Sequence, residues 1–146
     1  MNASSSPTSD DLILGILETV RTIALIGASA KPERPSYQVM NFLLSKGYVV
    51  HPVNPGLAGK TLLNRPVFGA LSDIPGNIDM VDIFRASEAA GNIIDEAISV
   101  AGAKEISVIW MQLGVKNAAA RERAEAAGLV VIENRCPKIE YGRLMT

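Results

Sequence analysis

The sequence predicts a doubly wound, Rossmann-like α/β fold in a single domain, and three observations carry that prediction. From Thr22 onward, short apolar runs suited to buried parallel strands alternate with amphipathic helical stretches. Three of the helical stretches run into a glycine, at Gly47, Gly102 and Gly128, where helix C-caps belong. The first apolar run, "TIALIG", ends in Gly27 and opens into a loop and a helix, as a phosphate-binding βαβ unit does.

Taken in order, residues 1–10 are Ser-rich and are expected to form a disordered tail ahead of a domain over residues 11–146. Ser9 reads as an N-cap: Asp10 and Asp11 suit the positive end of a helix, and Leu12, Ile13, Ile16, Leu17 and Val20 recur at helical spacing. The strands are "TIALIG" (22–27), "YVVHPV" (48–53), "DMVDIF" (79–84), "EISVIWM" (105–111) and "LVVIE" (129–133), with helices near 36–46, 87–101 and 116–127 between them. The segment 56–78 interrupts this rhythm and reads as a long connection with a brief strand at Val67–Phe68. Counting that strand as the third, the expected sheet order is 2-1-4-5-6, with parallel pairing and right-handed crossovers. There is no internal repeat and no second domain.

Composition narrows the function classes. The chain has 146 residues, 48% apolar and 20% charged, with a formal net charge of −1. That balance gives no broad electrostatic footprint for nucleic acid or an anionic membrane, so an anion site has to be local. No apolar run approaches a membrane span, and the start "MNASSSPTSDD" lacks the features of a signal peptide, so a cytoplasmic location is expected. One cysteine, Cys136, excludes an internal disulfide and a multi-cysteine metal site.

The loop after the first strand, "GASAKPERPSY", departs from the dinucleotide fingerprint, in which three glycines let the backbone approach a pyrophosphate. Only Gly27 remains, and Pro32 and Pro35 each remove a backbone donor. The amides of Ala28, Ser29 and Ala30, the hydroxyls of Ser29 and Ser36, and the start of the next helix are the groups left to meet an anion. Lys31 and Arg34 add the positive charge. At the end of the second strand a nicotinamide enzyme usually carries an acid for the ribose, and here Val53, Asn54 and Pro55 stand instead. That weakens the case for NAD. Asn54 could still bond a ribose or adenine, and Lys60 and Arg65 keep NADP open.

These motifs, together with "DMVDIFRASE", "WMQLGV" and "IENRCPKIEYGRL", resemble the stand-alone CoA-binding proteins, small relatives of the CoA-binding domain of the succinyl-CoA synthetase α subunit. The resemblance runs from about Thr22 to Leu144. It implies a domain that holds CoA with its phosphates at the first βα loop and its adenine side near the end of the second strand. Carried over by position, the implied contacts are Gly27, Ala28, Ser29, Arg34, Ser36 and Tyr37, then Asn54 and Pro55, then Phe84 and Arg85. Lys60 lies in a segment similar to a phosphate-facing stretch of the synthetase. The synthetase's phosphohistidine belongs to a further domain, so no catalytic group is carried over. CoA bears a 3′-phosphate besides its pyrophosphate, and cationic side chains suit such a dispersed set of oxygens.

Other chemistry-bearing residues have plainer readings. Lys31 reads as a solvated loop charge and Tyr37 as helix packing, while Phe84 fits the core and Arg85 a strand exit as well as they fit a ligand. His51, the one histidine, reads as a packed strand residue, because no metal-ligand cluster surrounds it in sequence. Trp110 reads as core, Gln112 as a minor candidate contact and Cys136 as a structural thiol. Asp79, Asp82, Glu133 and Glu140 read as turn, strand-end and solvated helix carboxylates. The expected function is noncovalent binding of CoA or an acyl-CoA, without a catalytic residue or metal of its own. An NAD(P)-linked oxidoreductase, and a CoA-binding subunit completed in trans by a protein partner, remain as alternatives.

Overall fold

A computed structural model describes residues 8–145 of the protein. The expected tail lies outside the described residues as far as Pro7, but its last part does not behave as a tail. Ser9 Oγ accepts from the Leu12 amide at 3.1 Å, capping helix α1 (Asp10–Thr19), and Asp10 is already helical. A Ser followed by two acids satisfies the orphan amides and the helix dipole together, so the helix starts one residue inside the expected tail.

Five parallel strands form the main sheet: β1 (Thr22–Ile26), β2 (Val49–Val53), β5 (Met80–Ile83), β6 (Val108–Met111) and β7 (Val130–Ile132), in the order β2-β1-β5-β6-β7. This is the predicted order. Helix α2 (Pro35–Ser45) connects β1 to β2, α3 (Ser87–Lys104) connects β5 to β6, and α4 (Ala118–Ala126) connects β6 to β7. The sheet grows one way from β1 and the opposite way from β5. Right-handed crossovers therefore send α2 to one face and α3 and α4 to the other. One core joins Ile13 and Leu17 of α1, Met40 and Leu43 of α2, Leu25 and Trp110, with Tyr141 packed against it. The second core joins Ala24, Val81 and Ile109 to Ile94 of α3 and Ala124 of α4.

The long connection differs from the reading of a brief strand at Val67–Phe68. It holds an antiparallel hairpin, β3 (Thr61–Leu62) and β4 (Arg65–Pro66), turned by Leu63 and Asn64 with φ of 49° and 63°. Two left-handed residues in a two-residue loop match the twist of the flanking strands, although the pair lacks the usual glycine. Phe68 alone reaches the main sheet, through an isolated parallel bridge to Val53 at its edge.

Gly47 and Gly128 follow their helices with φ of 93° and 90°, as expected. Gly102 does not end α3; the helix runs on to Lys104, whose ammonium donates to the Ile74 carbonyl, and Glu105 takes the left-handed position with φ 59°. Glu105 is held there by a 2.7 Å bond from Asn77. Tertiary anchors on the last turn thus outweigh the local preference for stopping at glycine.

A C-terminal helix, α5 (Pro137–Leu144), has no counterpart in the sequence reading. Arg143 ties it to α1 with two bonds to the Asp10 carboxylate, at 2.7 and 3.0 Å. Glu140, expected on a solvated face, is buried and accepts from Arg135 and Arg143. Asp82 overturns its expectation more sharply. It is fully buried in the middle of β5, opposite Leu25 and Trp110, and neither carboxylate oxygen has a hydrogen-bond partner among the described residues. Burial alone raises its pKa well above the usual carboxylate range and so favours the neutral acid. Asp79 does act at a turn, accepting from the amides of Arg21 and Thr22 at 2.8 and 2.9 Å. Glu133 pairs with Arg121 at 2.7 Å.

Candidate functional site

Open parallel sheets bind ligands beyond the carboxyl ends of their strands, where strand order reverses. Here that point lies between β1 and β5, and two clefts meet there at Gly27. Gly27 adopts φ +92°, and a β-carbon at this position would overlap the carbonyl oxygen of Phe84 and lie 3.1 Å from Arg85 Cδ. Only glycine allows β1 and β5 to approach so closely at their ends.

The smaller cleft, of about 290 Å³, is lined by Gly27, Ser29, Lys31, Arg34, Pro35, Ser36 and Phe84. Arg34 occupies the N-cap of α2 in extended conformation and no side chain caps the helix. Pro35 at the first helical position lacks an N–H, which leaves the amides of Ser36 and Tyr37 as the orphan donors of the helix start. Ser29 Oγ accepts from the Lys31 amide at 3.1 Å and keeps its own hydroxyl proton to donate. Lys31 and Arg34 are exposed, and neither forms an ion pair among the described residues. The result is a concentration of N–H and O–H donors and two cations, an arrangement suited to an anion.

One expected donor is already used. The amides of Gly27 and Ala28 both donate to the Val53 carbonyl, at 3.0 and 3.2 Å, joining the ends of β1 and β2. Ala28 itself is buried, so its part in the site is to hold the loop's origin.

The larger cleft, of about 430 Å³, lies on the α3 side of the same edge. Its apolar walls come from Ile26, Val53, Pro55 and Ile93, and Arg85 and Glu96 also line it. The volume falls in the range of about 300–1,000 Å³ usual for small-molecule sites. Asn54 lines it too, and its side chain is held in place: Nδ2 donates to the Ala28 carbonyl at 2.8 Å and Oδ1 accepts from the Gly56 amide at 2.8 Å, each with one further bonding position. Asn54 therefore staples the two loops together.

The remaining expected residues divide. Tyr37 lines a separate groove on the outer face of α2 with Pro32, Gln38, Asn41, Phe42 and Lys138, and its ring packs against the α2-side core, while its amide lies at the helix start. Lys60 is exposed in the turn before β3 and lines none of these clefts. Phe84 packs against the α2-side core while lining the smaller cleft. The sequence reading missed Ile93 and Glu96, as well as Gly69 and Ala70 of the long connection. Only the i, i+3 spacing of Ile93 and Glu96 on one helix hinted at a shared face, and nothing local said which cleft that face lines.

His51 stacks edge-on with Phe68 at 5.7 Å; burial, aided by Arg65, pushes its pKa down, in keeping with a packed role. Cys136 is buried in the α2-side core, just before Pro137. Trp110 is fully buried, with Nε1 donating to the Arg135 carbonyl at 2.9 Å. Gln112 is buried with Oε1 unpartnered. No group of three or more His, Cys, Asp or Glu side chains among the described residues could hold a metal ion, and no described helix is long and apolar enough to cross a membrane.

The sheet order, the glycine contact at the strand reversal and the paired clefts define a small Rossmann-like domain with two clefts at its switch point. Sequence comparison makes the class specific: the family described as CoA binding domain matches residues 21–142, and the chain belongs to that family. An uncharacterized protein of Bacillus subtilis, YneT, is 31% identical over 126 residues, spanning 86% of this chain and 89% of the relative. A hypothetical protein from Pyrococcus horikoshii OT3 has the same fold with a TM-score of 0.88 and 36% identity, covering 100% of both chains. The dinucleotide-forming acetyl-coenzyme A synthetase 1 of Ca. Korarchaeum cryptofilum shares the fold at a TM-score of 0.69 and 23% identity; 83% of this chain matches 27% of that one.

Proposed function

We propose that the protein binds CoA or an acyl-CoA noncovalently across the two clefts. The observation that carries this reading is the junction at Gly27 of two clefts: a pocket at the start of α2 that gathers Lys31, Arg34 and the orphan amides of the helix, and a larger cleft beyond β2 in which Arg85 and Glu96 stand among apolar side chains. CoA has matching parts: a pyrophosphate and a 3′-phosphate, an adenine ring with apolar faces on one side of the pyrophosphate, and a pantetheine arm on the other. Membership of the CoA binding domain family supports the same ligand. In this reading Ser29, Arg34 and the amides of Ser36 and Tyr37 meet phosphate oxygens, with Lys31 adding charge. Gly27, Ala28 and Asn54 shape the backbone, and Pro55, Phe84 and Arg85 flank the ligand. Lys60 would join only through movement of its turn, to reach an outlying phosphate.

A ligand that binds only the folded state raises its stability by mass action. CoA is therefore expected to raise the melting temperature more than NAD or NADP at equal concentration. Native mass spectrometry of freshly purified protein should find CoA retained. An equal or larger thermal shift with NAD would overturn the proposal. That outcome is not expected, because Asn54, with both polar groups engaged, stands where a dinucleotide enzyme places its ribose-binding acid.

A further inference from the structure

Two side chains of the larger cleft, Arg85 and Glu96, carry opposite charges and form no ion pair or side-chain hydrogen bond among the described residues. We propose that Glu96 reads the base of the bound nucleotide, accepting a hydrogen bond from the exocyclic amino group of adenine and so selecting an adenine nucleotide. The proposal rests on the CoA reading above and assigns the base specificity of that site.

The cleft's polar inventory leaves little choice of reader. Asn54 keeps a second N–H and a second lone pair, but the loop staple uses one of each and fixes the side chain's orientation toward Ala28 and Gly56. Arg85 can only donate, and its place beside Gly27 puts it where the two clefts meet. Glu96 is the acidic side chain that lines the cleft. An ionised carboxylate only accepts hydrogen bonds, so it recognises donors and repels acceptors. Adenine presents an amino group; hypoxanthine and guanine present a carbonyl oxygen at the same place.

Charge also fixes which part of the ligand goes where. In the larger cleft the charges of Arg85 and Glu96 offset one another, whereas Lys31, Arg34 and the uncapped start of α2 make the smaller one net positive and draw phosphate there. The base is thereby directed between Ile26, Val53, Pro55 and Ile93, apolar surfaces suited to a flat ring. The reader is also well held. Glu96 lies in the middle of the 18-residue helix α3, three residues from Ile93, and the neighbouring Asp95 is clamped by Arg123 of α4 at 2.8 and 3.2 Å. A polar group on a braced helix discriminates better than one on a loop.

The test is a coupling measurement by calorimetric titration. CoA and a deaminated analogue, with hydrogen in place of the amino group of adenine, are each titrated into the wild type and into Glu96→Ala and Glu96→Gln, with circular dichroism as the fold control. Hydrogen bonds to a charged group correspond to roughly 10- to 150-fold in affinity. The wild type is expected to prefer CoA over the analogue by at least about tenfold, at the low end of that range. Glu96→Ala should bind the two alike, and Glu96→Gln should keep part of the preference, because an amide oxygen still accepts. Wild-type protein that binds CoA yet does not distinguish the analogue, or a preference that persists in Glu96→Ala, would overturn the role of Glu96 and leave the CoA reading standing. Failure of the wild type to bind CoA at all would overturn both.

Discussion

The carbonyl of Phe84 occupies the space into which a side chain on Gly27 would project, so the ends of β1 and β5 are spaced by a missing β-carbon. Both clefts open at this contact. Gly27→Ala has to overcome a left-handed backbone and push the Phe84 peptide away. Conformational strain of this kind is worth on the order of 1–3 kcal/mol. The variant is expected to unfold at lower urea by that amount or more, and to lose CoA affinity because the clefts are displaced. Wild-type stability would show that the strand ends relax freely.

Arg34→Ala should leave stability within about 0.5 kcal/mol of wild type, because the side chain is exposed and forms no ion pair among the described residues. Its CoA affinity should fall by roughly 10- to 150-fold, nearer the low end because solvent reaches the loop. Arg34→Lys should recover part of the loss, since an ammonium keeps the charge without the planar fork. Titration calorimetry with both variants decides it: a change below about twofold in folded Arg34→Ala would remove Arg34 from the site.

Asn54 predicts a different balance. Asn54→Ala deletes the donor to Ala28 and the acceptor for Gly56, so both stability and CoA affinity should drop, the first by about 1–3 kcal/mol. Asn54→Asp keeps the bond from Gly56 and loses the bond to Ala28. It also sets a carboxylate oxygen against the Ala28 carbonyl, so in urea denaturation it should be at least as destabilised as Asn54→Ala. Lost affinity with unchanged stability would instead mark Asn54 as a direct ligand contact.

Asp82 gives the protein a pH dependence of defined sign. Its folded pKa is raised by burial, so between the unfolded value, near 3.8, and the folded one the native state holds a proton that the unfolded state has released. Its contribution is fully present below the unfolded pKa and is lost as pH rises towards and through the folded pKa. Asp82→Asn cannot ionise and escapes this loss. The stability of the variant relative to wild type should grow with pH by about 1.4 kcal/mol per unit while native Asp82 stays protonated. Urea denaturation at several pH values from 4 upward checks it. A difference independent of pH would mean that Asp82 is ionised in the native protein and has a partner.

The five strands of the main sheet, their order and the place of the strand reversal were legible in the sequence. Alternating apolar runs and amphipathic stretches restrict the topology, and the handedness of crossovers restricts it further, so the reversal between β1 and β5 follows from order along the chain. Gly27 and Arg34 were legible for the same reason, since a strand ending in glycine before a helix is a local pattern. Tertiary structure alone decided which groups are free to act. Whether the Asn54 amide or the Ala28 N–H can meet a ligand depends on partners at Ala28, Gly56 and Val53, some of them far away in sequence. The end of α3 at Glu105 rather than Gly102, the burial of Asp82 and the alignment of Glu96 with Pro55 are likewise set by packing between distant segments. Periodicity records which face of an element is apolar, but it does not record what that face meets, and hydrogen bonding and desolvation depend on what it meets.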